Sequence, residues 1–124
     1  TIEIIERYGT QRLLGRYITT LTEAVRSIPA DVLCHLDAGL RHQPNAHLEE
    51  SHFAQIEVLL DEVKRAGMAL EINTSGYKYR GLPFPLPEII ALATTKTIPL
   101  ALGSDAHSPS EVGRYFDRIP ALLG

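Results

Sequence analysis

The sequence predicts an α/β fold with parallel strands, and three observations support that prediction. Helix-like and strand-like segments alternate along the 124 residues. The strand-like segments are short and almost entirely apolar, as strands buried on both faces of a parallel sheet are. The segments between them are long enough for the right-handed crossovers that parallel strands require. The predicted order is therefore helix, strand, helix, strand, helix, strand, helix.

The first helix is predicted over residues 9–27, because its apolar positions recur at steps of three and four residues. Pro29 ends this helix, and residues 31–35 form the first strand, which closes on His35. Because apolar residues flank Cys34, we interpret it as an inert residue of the core. It is the single cysteine of the chain, which excludes an intrachain disulfide and is typical of the reducing cytoplasm.

The middle of the chain repeats this pattern. A second helix is predicted over residues 48–66, with Gly67 as its stop, and a second strand over residues 68–73. A loop rich in proline and glycine, residues 77–85, follows the second strand. Pro87 suits the first turn of a third helix.

The last part of the chain supplies a third strand over residues 98–102. After it, Ser108 in the N-cap position, Pro109 in the first helical position and Glu111 three residues after the cap make a capping box. This signature predicts that a fourth helix begins at Pro109.

Charge and hydropathy exclude several classes of function. The net charge is -3 and the pI about 5.9, without the basic surface that binding to nucleic acid or to an anionic membrane requires. No apolar stretch approaches the roughly 18 residues of a membrane span. We expect a cytoplasmic protein of one domain or part of one, and the start at Thr1 suggests a processed product or a piece of a longer chain.

Polar side chains follow each predicted strand. Ligands of parallel α/β folds bind at the carboxyl ends of the strands, where loops and helix N-termini converge. These side chains are therefore predicted to share one edge of the sheet, although they are far apart in the sequence. They are His35, Asp37, Asn73, Thr74, Ser75, Asp105 and His107.

Asp105 and His107 are two residues apart, a spacing that in extended backbone directs both side chains the same way. A carboxylate and an imidazole suit zinc, manganese or iron. Taken alone, the triplet better fits a turn at Asp105 and a position just before a helix for His107. Taken alone, His35 better fits a hydrogen-bonded histidine of the core.

Two arginines follow the first two strands. Arg41 and Arg80 could each hold a phosphate with two hydrogen bonds, and both equally fit exposed loops without a ligand. The remaining histidines, His42, His47 and His52, are interpreted as solvated, because their positions match neither a strand end nor a helical pair of metal ligands.

Three segments together resemble the PHP (polymerase and histidinol phosphatase) family. Residues 103–109, GSDAHSP, resemble its last metal motif. Residues 31–37, DVLCHLD, resemble an earlier strand motif in which Cys34 stands where glycine is usual. Residues 70–76, LEINTSG, resemble the form found in histidinol-phosphate phosphatases.

This resemblance implies the C-terminal part of a distorted (β/α)7 TIM-like barrel. It implies hydrolysis of L-histidinol phosphate, a small-molecule phosphate ester, to L-histidinol and phosphate, with up to three divalent cations, zinc, manganese or iron. It implies that His35, Asp105 and His107 are metal ligands. Arg41 and Arg80 would bind the substrate phosphate.

The resemblance also indicates what the chain lacks. The family's opening His-x-His pair and further ligands come from an N-terminal half, whereas residues 1–30 contain no histidine. Residues 1–124 are thus expected to form the C-terminal half of a PHP domain and to turn over little substrate alone. The missing half, or a second copy joined through exposed sheet edges, would be its partner. Two alternatives stay open: a PHP-like binding or assembly module, and a phosphoesterase for another phosphate ester.

Overall fold

The computed structural model describes residues 2–39 and 47–124, with the backbone alone for residues 2–8. It contains a three-stranded parallel sheet with helices packed against it, which confirms the α/β class. The helices and strands are α1 (Ile2–Ser27), β1 (Val32–Leu33), α2 (Glu50–Arg65), β2 (Ala69–Asn73), α3 (Gly76–Arg80), α4 (Pro87–Thr95), β3 (Leu100–Gly103) and α5 (Ile119–Leu123). None of the described helices is both long and apolar enough to cross a membrane.

The sheet has the order β1-β2-β3, and both pairs of strands are parallel. Leu33 of β1 pairs with Leu70 of β2, and Asn73 of β2 pairs with Gly103 of β3. All three strands therefore end at the same edge of the sheet. We call the residues that end or follow the strands at this edge, 34–37, 73–75 and 104–107, the rim.

The core lies between the helices and one face of the sheet. Alternation along β2 directs Leu70 and Ile72 to this face, and both are fully buried. The same alternation directs Glu71 and Asn73 to the opposite, polar face. The other buried apolar residues of the core come mainly from α1, α2 and α4, and include Ile18, Val25, Ile56, Leu59, Leu60, Val63, Ile89 and Ala93.

The predicted helix over residues 9–27 is confirmed as part of α1, and α4 begins at Pro87 as predicted. At the start of α2, the Glu49 side chain accepts the His52 backbone N–H, and His52 Nδ1 accepts the Glu49 N–H at 3.0 Å. His52 Nε2 donates to the Gln11 carbonyl at 2.8 Å. The interpretation of His52 as solvated is wrong: the residue is buried because it caps α2 and joins it to α1.

The strand predicted over residues 31–35 is shorter than expected. β1 covers Val32–Leu33 only and pairs with β2 alone among the described strands. The chain then turns at His35, whose φ of 55° lies in the left-handed region. The prediction of Cys34 as a core residue is wrong, because this edge position beside the turn leaves the residue exposed.

The loop predicted over residues 77–85 begins as a helix. α3 starts at Gly76, where a Cβ would collide with the backbone at Leu82 and Pro83. Gly81 ends the helix with a φ of 70°. The segment folds back on itself at this tight contact, and Phe84 pairs with the end of β2.

The predicted fourth helix is wrong. Pro109–Glu111 forms one 3₁₀ turn, after which Val112 is extended and Gly113 has a φ of 76°. The polar residues of the capping box do interact, since Ser108 Oγ donates to Glu111 Oε1 at 3.2 Å. Contacts of Arg114 with the preceding loop, described below, replace the continuation of the helix.

Candidate active site at the rim

The rim brings together polar residues from all three strands. His35 lies two residues after β1, and Asp105 lies two residues after β3. Asn73 ends β2, which lies between them in the sheet. His35 and Asp105 thus lie on opposite sides of β2, the strand between β1 and β3. The prediction that these residues share one edge of the sheet agrees with the observed topology.

Glu71 connects the ends of β1 and β2. Its Oε1 accepts the backbone N–H of His35 at 3.3 Å and the side-chain N–H of Asn73 at 3.4 Å. Its carboxylate also lies where a Cβ on Gly103 would stand, so a side chain at position 103 would have to displace it. We call Glu71, Asn73 and His35 the Glu71 cluster.

The orientation of the Asn73 amide is fixed by its neighbours. Asn73 is fully buried, and its Oδ1 accepts the Ser75 backbone N–H at 3.0 Å and the Ser75 hydroxyl at 2.6 Å. The amide nitrogen therefore faces away from Ser75, toward Glu71 and the His35 ring, whose Nδ1 is 3.4 Å from it. The Asn73 backbone is held in turn by a pair of hydrogen bonds with Phe84.

Cys34 adjoins this cluster. Desolvation raises the pKa of its thiol, and the nearby Glu71 carboxylate raises it further by charge and by hydrogen bonding. The thiol form is therefore favoured over the thiolate. Cys34 is exposed but is held in its unreactive form.

The segment after β3, residues 104–114, forms a locally bonded arm that we call the His107 arm. Arg114 donates to the carbonyls of Ser104 at 3.0 Å and Asp105 at 3.2 Å, and pairs with Glu111 at 2.6 Å. His107 is held at both its backbone and its ring: its N–H donates to Glu111 at 3.0 Å, and its Nδ1 lies 2.8 Å from the Asp105 carbonyl oxygen.

The arm is tied to β2 through Thr74, whose hydroxyl lies 2.7 Å from the carbonyl of Arg114 and 3.2 Å from that of Gly103. Within the arm, the His107 backbone N–H, followed by the Arg114 guanidinium and the Ser108 hydroxyl, lowers the pKa of Glu111. Glu111 is thus held as a carboxylate that orders the turn around His107.

Asp37, a buried residue of the rim, forms an ion pair with the half-buried Arg80. Arg80 Nη2 lies 3.2 Å from Asp37 Oδ2, which also accepts the Leu86 N–H at 2.9 Å. The Arg80 guanidinium lies 4.1 Å from the centre of the Phe84 ring. Burial raises the pKa of Asp37, although Arg80 and the Leu86 N–H act in the opposite direction. This pair fixes the loop before α4 to the segment after β1.

The predicted phosphate arginines differ in what the structure shows of them. Arg80 is anchored by Asp37 and by the Pro83 carbonyl, and its buried Nε has no hydrogen-bond partner. Arg41 and His42 lie outside the described residues. His47 is exposed, in line with its interpretation as solvated.

The donor types at the rim fit a divalent cation, but the described residues do not complete a site. The imidazoles of His35 and His107 are exposed, and Asp105 is half-buried. Within residues 2–39 and 47–124, however, no group of three or more histidine, cysteine, aspartate and glutamate side chains is placed to hold a metal ion. His35, Asp105 and His107 can thus supply part of a coordination shell.

Sequence reasoning missed the role of Glu71. Glu71 lies in the middle of an otherwise apolar strand, so the sequence pattern around it does not indicate a function. The signal that could have found it is its spacing of two residues from Asn73, which places both side chains on the same face of β2.

The chain is similar to known proteins over most of its length. No protein-family model matches the chain. The "Probable histidinol-phosphatase" of Deinococcus radiodurans is 34% identical over 125 residues, which cover 97% of this chain and 46% of that protein. The chain is thus similar to less than half of a protein of that name. This similarity confirms the resemblance to histidinol-phosphate phosphatases that the sequence indicates.

A solved structure shares the fold. It is the crystal structure of hisK from Listeria monocytogenes, a protein assigned as a histidinol phosphatase, and it superposes with a TM-score of 0.74 at 22% identity. The match covers 82% of this chain and 42% of the hisK chain. This chain therefore spans less than half the length of both relatives.

Proposed function

We propose that this chain carries the C-terminal half of the active site of a histidinol-phosphate phosphatase, which hydrolyses L-histidinol phosphate to L-histidinol and inorganic phosphate. The observation that carries the proposal is the 34% identity to the Deinococcus protein, which extends over 97% of the chain. The match covers 97% of the chain, so the part that it leaves out is shorter than any of the three segments that resemble the PHP family. The convergence of these segments at one edge supports the same function.

In this proposal, His35, Asp105 and His107 bind divalent cations, zinc, manganese or iron, up to three in the complete site. Such cations supply Lewis-acid stabilisation of the negative charge on phosphate oxygens. Arg80 and Arg41 hold the substrate phosphate. Asp37 and Phe84 fix the direction of the Arg80 guanidinium, so little side-chain freedom is lost when phosphate binds.

The remaining ligands come, in this proposal, from the half of the relatives' length that this chain does not span. β1 and β3 each pair with β2 only, among the described strands, so each has an open edge to which further strands can bond. An N-terminal half, or a second copy, pairs there and completes the distorted (β/α)7 barrel. The chain alone then turns over little substrate.

Complementation tests this proposal. The N-terminal half of the Deinococcus protein is produced separately and mixed with this chain and Mn²⁺ or Zn²⁺, and phosphate release from L-histidinol phosphate is measured. We expect background activity from either part and clear activity from the mixture. Asp105→Ala should abolish that activity, whereas His47→Ala, an exposed histidine outside the rim, should retain it.

Two outcomes would count against the proposal. If sedimentation shows that the complex forms, yet no phosphate is released with either cation, the phosphatase function would be rejected. Full activity of the chain alone would reject the need for a second half.

A further inference from the structure

The His107 ring is held by a hydrogen-bond acceptor, a backbone carbonyl oxygen. Its Nδ1 lies 2.8 Å from the Asp105 carbonyl oxygen. A carbonyl oxygen can only accept a hydrogen bond, so Nδ1 of the neutral ring carries the proton. The lone pair of His107 is therefore on Nε2. A cation can bind Nε2 in this tautomer without any proton having to move.

The His35 ring is held by a hydrogen-bond donor, the side-chain amide of Asn73. Its Nδ1 lies 3.4 Å from Asn73 Nδ2, and two hydrogen bonds from Ser75 to Asn73 Oδ1 establish which end of the amide faces the ring. An amide nitrogen can only donate, so Nδ1 of the neutral ring holds the lone pair and Nε2 carries the proton. The two rim histidines are thus in opposite tautomers.

Glu71 and burial keep Asn73 in this position. The second N–H of the Asn73 amide donates to Glu71 Oε1 at 3.4 Å, and the same oxygen accepts the His35 backbone N–H at 3.3 Å. Asn73 is fully buried, and its backbone is bonded to Phe84. Turning the amide over would leave the Ser75 N–H and hydroxyl facing an amide nitrogen, which cannot accept from either.

We propose that Asn73 is a positioning residue that keeps His35 in the Nε2–H form, opposite to His107, so that the rim accepts a cation at His107 before His35. A cation at His35 must displace Asn73 from Nδ1, or the Nε2 proton must leave first. The role of the cation in catalysis rests on the proposed function, whereas the tautomers are properties of the chain itself. Asn73 therefore sets the order in which the two imidazoles bind.

Nitrogen-15 NMR of the metal-free chain tests the tautomers directly. Long-range ¹H–¹⁵N spectra are recorded about two pH units above the ordinary histidine pKa, so that the rings are neutral. We expect Nδ1–H for His107 and Nε2–H for His35. His52 is an internal reference, because its Nε2 donates to the Gln11 carbonyl. Finding the same tautomer at both rim histidines would overturn the proposal.

Asn73→Asp tests the cause. The carboxylate would present an acceptor to His35 and should move the proton to Nδ1, while the His107 and His52 signals stay unchanged. A His35 tautomer that does not change in this variant would reject Asn73 as the positioning residue.

Asn73→Ala with a Zn²⁺ titration gives a second measurement, independent of whether the aspartate variant folds. Because one competing hydrogen bond is lost, the His35 ring signals should shift at about fivefold lower Zn²⁺ concentration, while the His107 signals are unaffected. Thr95→Ala, an exposed change on α4, is the matched control. An unchanged His35 response to Zn²⁺ would overturn the proposal. Failure of the complementation assay would bear on the phosphatase function alone.

Discussion

The two sides of the rim are held together differently. Around β1 and β2, the contacts join residues far apart in sequence: Asp37 and Arg80 are 43 positions apart, and His35 and Asn73 are 38 apart. In the His107 arm, by contrast, Glu111 bonds residues three or four positions away. Contacts of the first kind exist only once the whole sheet has formed, whereas those of the second kind order a loop. Equivalent residue types at one edge should therefore respond differently to mutation.

Asp37→Ala should produce the largest effect and lower the free energy of unfolding by about 3 kcal/mol, because the Leu86 N–H loses its acceptor and Arg80 keeps only the Pro83 carbonyl. Urea unfolding followed by circular dichroism measures this change. Asp61→Ala, which removes an exposed partner of Lys96, is the matched control and should cost no more than about 1 kcal/mol. Equal losses in both variants would contradict the distinction between the buried and the exposed pair.

Gly103→Ala should come next, with a loss of about 1 kcal/mol, because the new Cβ would push the Glu71 carboxylate away from its hydrogen bonds with His35 and Asn73. Gly9→Ala adds the same methyl group where no atom lies within 4 Å, so it should not destabilise the chain. Combining Gly103→Ala with Glu71→Ala should cost less than the sum of the two single changes. Strict additivity would show that the two positions do not compete for space.

Glu111→Gln should have the smallest effect, visible as a change in pH dependence. A lowered pKa means that the ionised Glu111 stabilises the folded chain above the ordinary glutamate value, and that this contribution is lost as the pH falls through the lowered pKa. Glu111→Gln should therefore flatten the acid limb of stability against pH, measured as urea midpoints. An acid limb as steep as that of the unmodified chain would show that Glu111 is not the group responsible.

The dependence of stability on pH that is due to Asp37 should have the opposite sign. Because burial raises its pKa, its contribution to stability decreases as the pH rises from the ordinary aspartate value through the raised one. Asp37→Asn should remove that decrease. A variant whose stability still falls over this interval would assign the dependence to another group.

Much of this rim could be predicted from the sequence, because parallel strands bring their carboxyl ends together regardless of sequence distance. His35, Asp105 and His107 were placed on one edge by that rule alone. Pro87 was placed correctly at the start of α4, because its fixed φ suits the first turn. These are cases in which backbone geometry decides the outcome.

The predictions that were wrong involve contacts that no local pattern encodes. The capping box at Ser108 has the right residues, but Arg114 bonds the carbonyls of Ser104 and Asp105 and draws the chain out of a helix. Cys34 has apolar neighbours, but the left-handed turn at His35 leaves it exposed. His52 has a polar context, but it caps α2 and bonds α1.

The shared volume of Glu71 and Gly103 constrains how relatives of this chain can diverge. A larger side chain at position 103 must displace the end of the Glu71 side chain, since the two compete for one space across neighbouring strands. Substitutions at the two sites should therefore be correlated across descendants, with a shorter residue at 71 accompanying a larger one at 103.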